Sequence, residues 1–145
     1  MQRRKSFGAV DFSAASDMRR SRSSDLIRTV AQQADHLPPK DRALITQIFV
    51  DGIPINRLAQ NSGEEPRRLA RRVKSITKRM LDPRFKYVTE NKAAWRPTRQ
   101  RVAAACIVEG LSMREASEKL KLSPYTIRKH REAIDAMFES AEFAS

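Results

Sequence analysis

The sequence predicts an all-α protein: two tandem three-helix units behind a flexible basic N-terminal arm. Three observations lead there. Apolar residues recur at three- and four-residue spacings along most of the chain, and no useful run of strand-like alternation interrupts them. Gly and Pro fall at the ends of those runs, where they stop or open helices. The pattern also repeats, because placing Gly52 on Gly110 aligns the two halves without a gap, at an offset of 58 residues.

Residues 1–23 lack periodicity and are rich in Ser and Arg, as in "DMRRSRSSD", and read as the flexible arm. Residues 24–81 form the first unit with a preceding helix. Ser24 suits the N-cap of that helix, which carries Leu26, Ile27, Val30, Ala31 and Ala34 on one face until Leu37-Pro38-Pro39 stops it. Leu44, Ile45, Ile48 and Phe49 mark the next helix, ended by Gly52. Ile55, Leu58 and Ala59 mark a short one, closed by the "NSG" of 61–63. Pro66 opens a third, with Leu69, Val73, Ile76 and Met80 as its apolar stripe and Asp82-Pro83 as its stop.

Residues 82–98 read as a connector that holds Phe85, Tyr87 and Trp95. Such aromatics stack on bases or pin a linker against neighbouring helices, and pinning is the preferred reading. Residues 99–145 form the second unit. Val102, Ala105, Cys106 and Val108 mark its first helix, Gly110 ends it, and a short helix spans Met113 to Leu120. The last helix runs from Pro124 past Phe138. Units of this size are marginal alone, so they are expected to pack together through the Phe85–Trp95 connector.

Within the repeat, Val50-Asp51-Gly52 falls on Val108-Glu109-Gly110, Leu58-Ala59 on Ala116-Ser117, and Pro66 on Pro124. Leu69 falls on Ile127, Ile76 on Ile134 and Met80 on Phe138. Val73 is the mismatch, since Arg131 stands opposite it. Helix, tight turn and steeply crossing helix need a small residue at the crossing, the place of Ala59 and Ser117. A third helix that turns its stripe inward presents its polar face to a major groove, as in a helix-turn-helix. Those faces carry Arg67, Arg68, Arg71 and Lys74 in the first copy, and Ser123, Tyr125, Thr126, Arg128 and Lys129 in the second.

Charge supports that partner. Lys and Arg number 29 against 17 Asp and Glu, a formal charge of +12, which points to nucleic acid before an anionic membrane surface. The Pro66–Met80 helix alone carries seven cations and no acid, repelling one another over about 22 Å. Phosphate is favoured there over an acidic protein surface or plain solvation. No apolar run approaches the roughly 20 residues of a membrane span, so no membrane partner is expected. The Arg-rich "MQRRKSF" imitates a transit peptide, but Asp11 and Asp17 follow quickly, and a cytoplasmic protein is expected.

Cys106 is the single cysteine, which excludes an intrachain disulfide and a cysteine-cluster metal site. His36 and His130 are the two histidines, and His130 is read as packing rather than binding phosphate. No P-loop, nucleophile elbow or zinc motif appears. Neither catalysis nor a cofactor nor a metal is expected.

The stretch "GLSMREASEKLKLSPYTIRKH" resembles the DNA-binding domain of LuxR/FixJ-type transcription regulators through Gly110, Ser112, Glu115, Leu120, Leu122, Ser123-Pro124, Thr126, Ile127 and His130. The resemblance implies that Ser-Pro opens a recognition helix on which Thr126, Arg128 and Lys129 touch phosphates and bases. Ser117 stands where that family usually has Ala, and Lys121 where Gly usually makes the turn, which asks Lys121 for a left-handed backbone or an altered turn. The first half, "LPPKDRALITQIFVDGIPINRLAQNSG", resembles the region-4 helix-turn-helix of bacterial sigma factors through Leu37-Pro38, Arg42, Gly52, Leu58-Ala59 and Gly63. It departs at Glu64, where an apolar residue normally packs, and at Glu65, which opens the recognition helix and repels phosphate.

The expected function is therefore sequence-specific binding of double-stranded DNA by a bacterial transcription regulator. The rival is an adaptor associated with RNA polymerase, its sigma-like half gripping protein. A third reading, single-stranded RNA held by the arm and the connector aromatics, rests on composition.

Overall fold

The computed structural model describes residues 24–144, and their regular structure is entirely helical. Helix α1 covers residues 24–34, α2 Pro39–Phe49, α3 Ile55–Ser62, α4 Pro66–Leu81 and α5 Pro83–Asn91. A 3₁₀ turn, Lys92–Ala94, leads to α6, Pro97–Ala103, which continues as a π turn over Ala104–Val108. Helices α7, Met113–Leu120, and α8, Pro124–Ala144, complete the fold. The basic arm read at residues 1–23 lies outside the described residues. No described helix is long and apolar enough to cross a membrane.

Local chemistry sets these boundaries. Proline opens α2, α4, α5, α6 and α8, where its missing N–H is not needed and its φ is already helical. A capping box starts α7: Ser112 Oγ accepts the Glu115 N–H at 3.1 Å, and Glu115 Oε1 accepts the Ser112 N–H at 3.0 Å. Asp82 accepts the Arg84 N–H at 2.9 Å, so the residue that ends α4 also caps α5.

The backbone repeats. Pro39, Ile55 and Pro66 open α2, α3 and α4, and Pro97, Met113 and Pro124, each 58 residues on, open α6, α7 and α8. Turn hydrogen bonds recur at the same offset. The Asp51 N–H donates to the Thr46 carbonyl at 3.0 Å, and Glu109 to Ala104 at 2.8 Å; Ile53 donates to Gln47, and Leu111 to Ala105, both at 2.9 Å. The positive-φ residues among those described form two pairs, Gly52 (71°) with Gly110 (73°) and Gly63 (72°) with Lys121 (56°). Recurrence reaches back before α2. Helices α1 and α5 hold matching places, Val30 and Val88 are both fully buried, and Leu37 and Trp95 each donate to the carbonyl three residues earlier at 3.0 Å. Residues 82–98, read from sequence as a connector, thus contain a helix with a counterpart in the first half.

The main core crosses the middle of the chain. It runs from Val30, Leu37 and Ile45 through Leu69, Ile76 and Met80 to Phe85, Val88, Val108 and Ile134. Phe85 is the largest of its fully buried side chains, and α5 lies against α4, the π turn and α8. A smaller cluster, Val102, Ala105, Ala116 and Ile127, holds α6, α7 and α8 together. Tyr87 meets Trp95 at 6.2 Å and the edge of Phe138 at 5.7 Å, so these aromatics face protein, as the pinning reading requires.

Candidate nucleic-acid interface

On α4, burial of Leu69, Val73, Ile76 and Met80 fixes the rotation of the helix. Arg67, Arg68, Arg71 and Lys74 are consequently exposed, as is Lys78, and none has an ion-pair partner among the described residues. The other two cations of the stretch are engaged within the protein. Arg72 pairs with Glu64 at 3.5 Å. Arg79 turns inward, where its Nε–H donates to the Val108 carbonyl at 2.8 Å and its Nη2 lies 3.4 Å from Asp41. Burial lowers the Arg79 pKa from the ordinary arginine value, and Asp41 and Glu109 oppose that shift. Five cations therefore remain on the outer face, and Arg79 ties α4 to α2 and to the second half.

On α8, Ile127 and Ile134 are fully buried and set the rotation in the same way. Ser123 Oγ accepts the Thr126 N–H at 3.1 Å and lies 2.9 Å from the half-buried Thr126 hydroxyl, so both fix the first turn. Tyr125 is 69% exposed, and Arg128 and Lys129 are exposed without an ion-pair partner among the described residues. Seven of the nine sequence-read residues thus lie on two exposed helix faces, four on α4 and three on α8, while Ser123 and Thr126 are engaged with each other at the first turn of α8.

The turn before α8 accommodates both Ser117 and Lys121. Lys121 adopts the left-handed conformation, φ 56° and ψ 44°, and its N–H donates to the Ser117 carbonyl. The Ser117 hydroxyl donates to the Leu122 carbonyl at 2.5 Å, so it satisfies itself within the turn. His130 is half-buried, and its Nδ1 accepts the Arg99 Nε–H at 3.3 Å. Burial lowers its pKa, helped by Arg99 and Lys129.

One feature of the first half escaped sequence reading. An open cleft of about 410 Å³ lies among α2, α3 and α4, with Leu44, Leu58 and Leu69 in its wall and Ser62 and Glu64 at its rim. In the second half, Leu120 and Leu122 stand at the positions matching Ser62 and Glu64 and pack against the small core. The aligned repeat already contained that signal, as two leucines opposite two polar residues. No protein family, curated protein or solved structure matches the chain.

Proposed function

We propose that the chain binds double-stranded DNA sequence-specifically and acts as a transcription regulator, with α3–α4 and α7–α8 as two helix-turn-helix units. The observation that carries this reading is the repeated turn before α4 and α8: the Glu64 N–H donates to the Ala59 carbonyl at 3.1 Å and, 58 residues on, Leu122 to Ser117 at 3.3 Å, and each turn leads into a helix whose outer face is polar or cationic and without ion-pair partners among the described residues. Helix α8, opened by Ser123 and bearing Tyr125, Arg128 and Lys129, reads base edges; α4, with Arg67, Arg68, Arg71 and Lys74, clamps phosphates. Two units in one chain recognise an asymmetric site without dimerising.

A second reading is favoured by the open cleft beside Glu64: the first unit grips a protein, and the chain is an adaptor on RNA polymerase. Selection from a random duplex library at about 0.15 M salt separates the two. A long asymmetric motif preferred by roughly 10³-fold or more over random DNA is expected if both units engage. A short motif, together with capture of RNA polymerase, assigns the first unit to protein. Binding without any motif sinks the base-reading role of α8.

A further inference from the structure

Where the halves meet, α4, α5, the π turn and α8 enclose a cleft of about 160 Å³. Its wall holds three guanidinium groups, Arg79, Arg84 and Arg131, over an apolar floor of Phe85 and Ile107, with Cys106 beside them. Two of the three are already engaged. Arg79 is held by Val108 and Asp41, and Arg84 lies 3.5 Å from Asp135. The second carboxylate of the wall, Asp82, is engaged in capping α5. Arg131 is half-buried and makes no hydrogen bond or ion pair with any described residue.

Arg131 is also where the repeat breaks. Its counterpart is Val73, 6% exposed in the core of the first half. No side-chain donor among the described residues is both buried and unpartnered, so the Arg131 guanidinium keeps access to water through the cleft and its N–H donors are open to a ligand. The helix before it differs in degree: both halves close with a five-residue bond, Asp51 to Thr46 and Glu109 to Ala104, but in the second half the widening extends to a π turn over Ala104–Val108, from which Cys106 and Ile107 line the cleft. Single π turns inside helices are frequent at functional sites.

We propose that this cleft is a binding site for a small oxyanion, a phosphate or carboxylate group, received by Arg131 and seated over Phe85 and Ile107. A guanidinium offers paired N–H donors in the geometry that such groups accept. The volume decides the size class. Sites for drug-sized ligands enclose about 300–1,000 Å³, so this one takes an anion with few further atoms, not a nucleotide. An occupant bridges α8 to α4 and α5, and so locks the two halves together.

The test uses the full chain and needs no DNA. Inorganic phosphate and, separately, acetate are titrated at constant ionic strength while thermal unfolding is followed. Saturable stabilisation is expected, a rise in Tm of about 4 °C at ten times the dissociation constant. The stronger of the two anions identifies the group. Arg131→Val, which restores the residue of the first half, abolishes the rise; Arg57→Ala removes an equal charge from an exposed site on α3 and keeps it. Labelling of Cys106 by a maleimide is a second, local readout, and the anion slows it with the same midpoint. A rise that is linear in anion and equal in all three proteins overturns the site, and so does Cys106 labelling indifferent to both anions.

Discussion

The two halves share helix starts and turn hydrogen bonds and differ in what they enclose. Around the same turn, the second half buries Leu120 and Leu122 and closes a small core of its own. The first half places Ser62 and Glu64 there and leaves a cleft over Leu44, Leu58 and Leu69. At the opposite side of the last helix the roles reverse: Val73 fills the core of the first half, while Arg131 faces an opening in the second. The turns are held by backbone hydrogen bonds at the same offset, and these bonds do not depend on which side chains surround them. A repeat of this kind fixes where a surface points. Its residues decide what that surface can hold.

The largest effect is expected where one side chain serves both halves. Phe85 is fully buried where α5 joins α4 to the second half, and Phe85→Ala is expected to cost about 3–5 kcal/mol. Denaturant unfolding should remain one transition with a lower midpoint. Two transitions, of which one is unmoved, would mean that the halves are stable independently. Next comes the division between the outer faces. Arg128→Ala is expected to cost roughly 1–3 kcal/mol of DNA affinity and to relax specificity, whereas Arg71→Ala weakens all sequences evenly and lowers the salt slope by about one. Equal, sequence-blind losses from both would leave α8 no more discriminating than α4.

The paired glycines have unequal surroundings. Gly52 and Gly110 share a positive φ, and a Cβ on Gly52 meets nothing within 4 Å. A Cβ on Gly110 would lie 2.5 Å from Arg79 Nη1, in a side chain pinned by Val108 and Asp41. Gly52→Ala is therefore expected to cost about 1 kcal/mol of backbone strain, and Gly110→Ala about 1 kcal/mol more for the displaced arginine. Thermal melts of the two variants side by side measure the difference; equal melts would show that the Arg79 bridge contributes nothing.

These contrasts also mark how far the sequence could be read. Helices α3 and α7 and the starts of α4 and α8 were legible, because Gly, Pro and the apolar stripes are local signals. Helix α5 was not, since Asp82-Pro83 is equally a helix stop and a cap followed by an opening proline, and both happen here. The outer faces of α4 and α8 followed from periodicity. The inward turn of Arg79 did not, because it sits at the edge of the stripe and its partners, Asp41 and Val108, are distant in sequence. The cleft at Arg131 needed three dimensions for the same reason, although the mismatch with Val73 marked the position.

The other positive-φ pair, Gly63 and Lys121, carries a gain rather than a loss. A lysine at φ 56° is strained where glycine is not, so Lys121→Gly is expected to stabilise by about 0.5–1 kcal/mol, part of the relief being offset by glycine's extra freedom in the unfolded chain. An unchanged melting temperature would mean that the turn already compensates its lysine.

The smallest effect concerns titration. Arg72, paired with Glu64, occupies in the first half the position that His130 occupies in the second. Arginine does not titrate near neutrality; the histidine does. Burial, Arg99 and Lys129 hold the His130 pKa below the ordinary 6.5, so the folded chain takes up its proton less readily than the unfolded one. Stability contributed by the neutral ring is present above pH 6.5 and is lost as the pH falls through that value toward the folded pKa. His130→Gln removes this dependence without adding a charge. The difference between wild-type and variant stability should thus be level from pH 8 to about 7 and narrow steadily below about 6.5. A difference that stays level to pH 5 would place His130 in water rather than against Arg99, and the contact between α6 and α8 at that position would have to be redrawn.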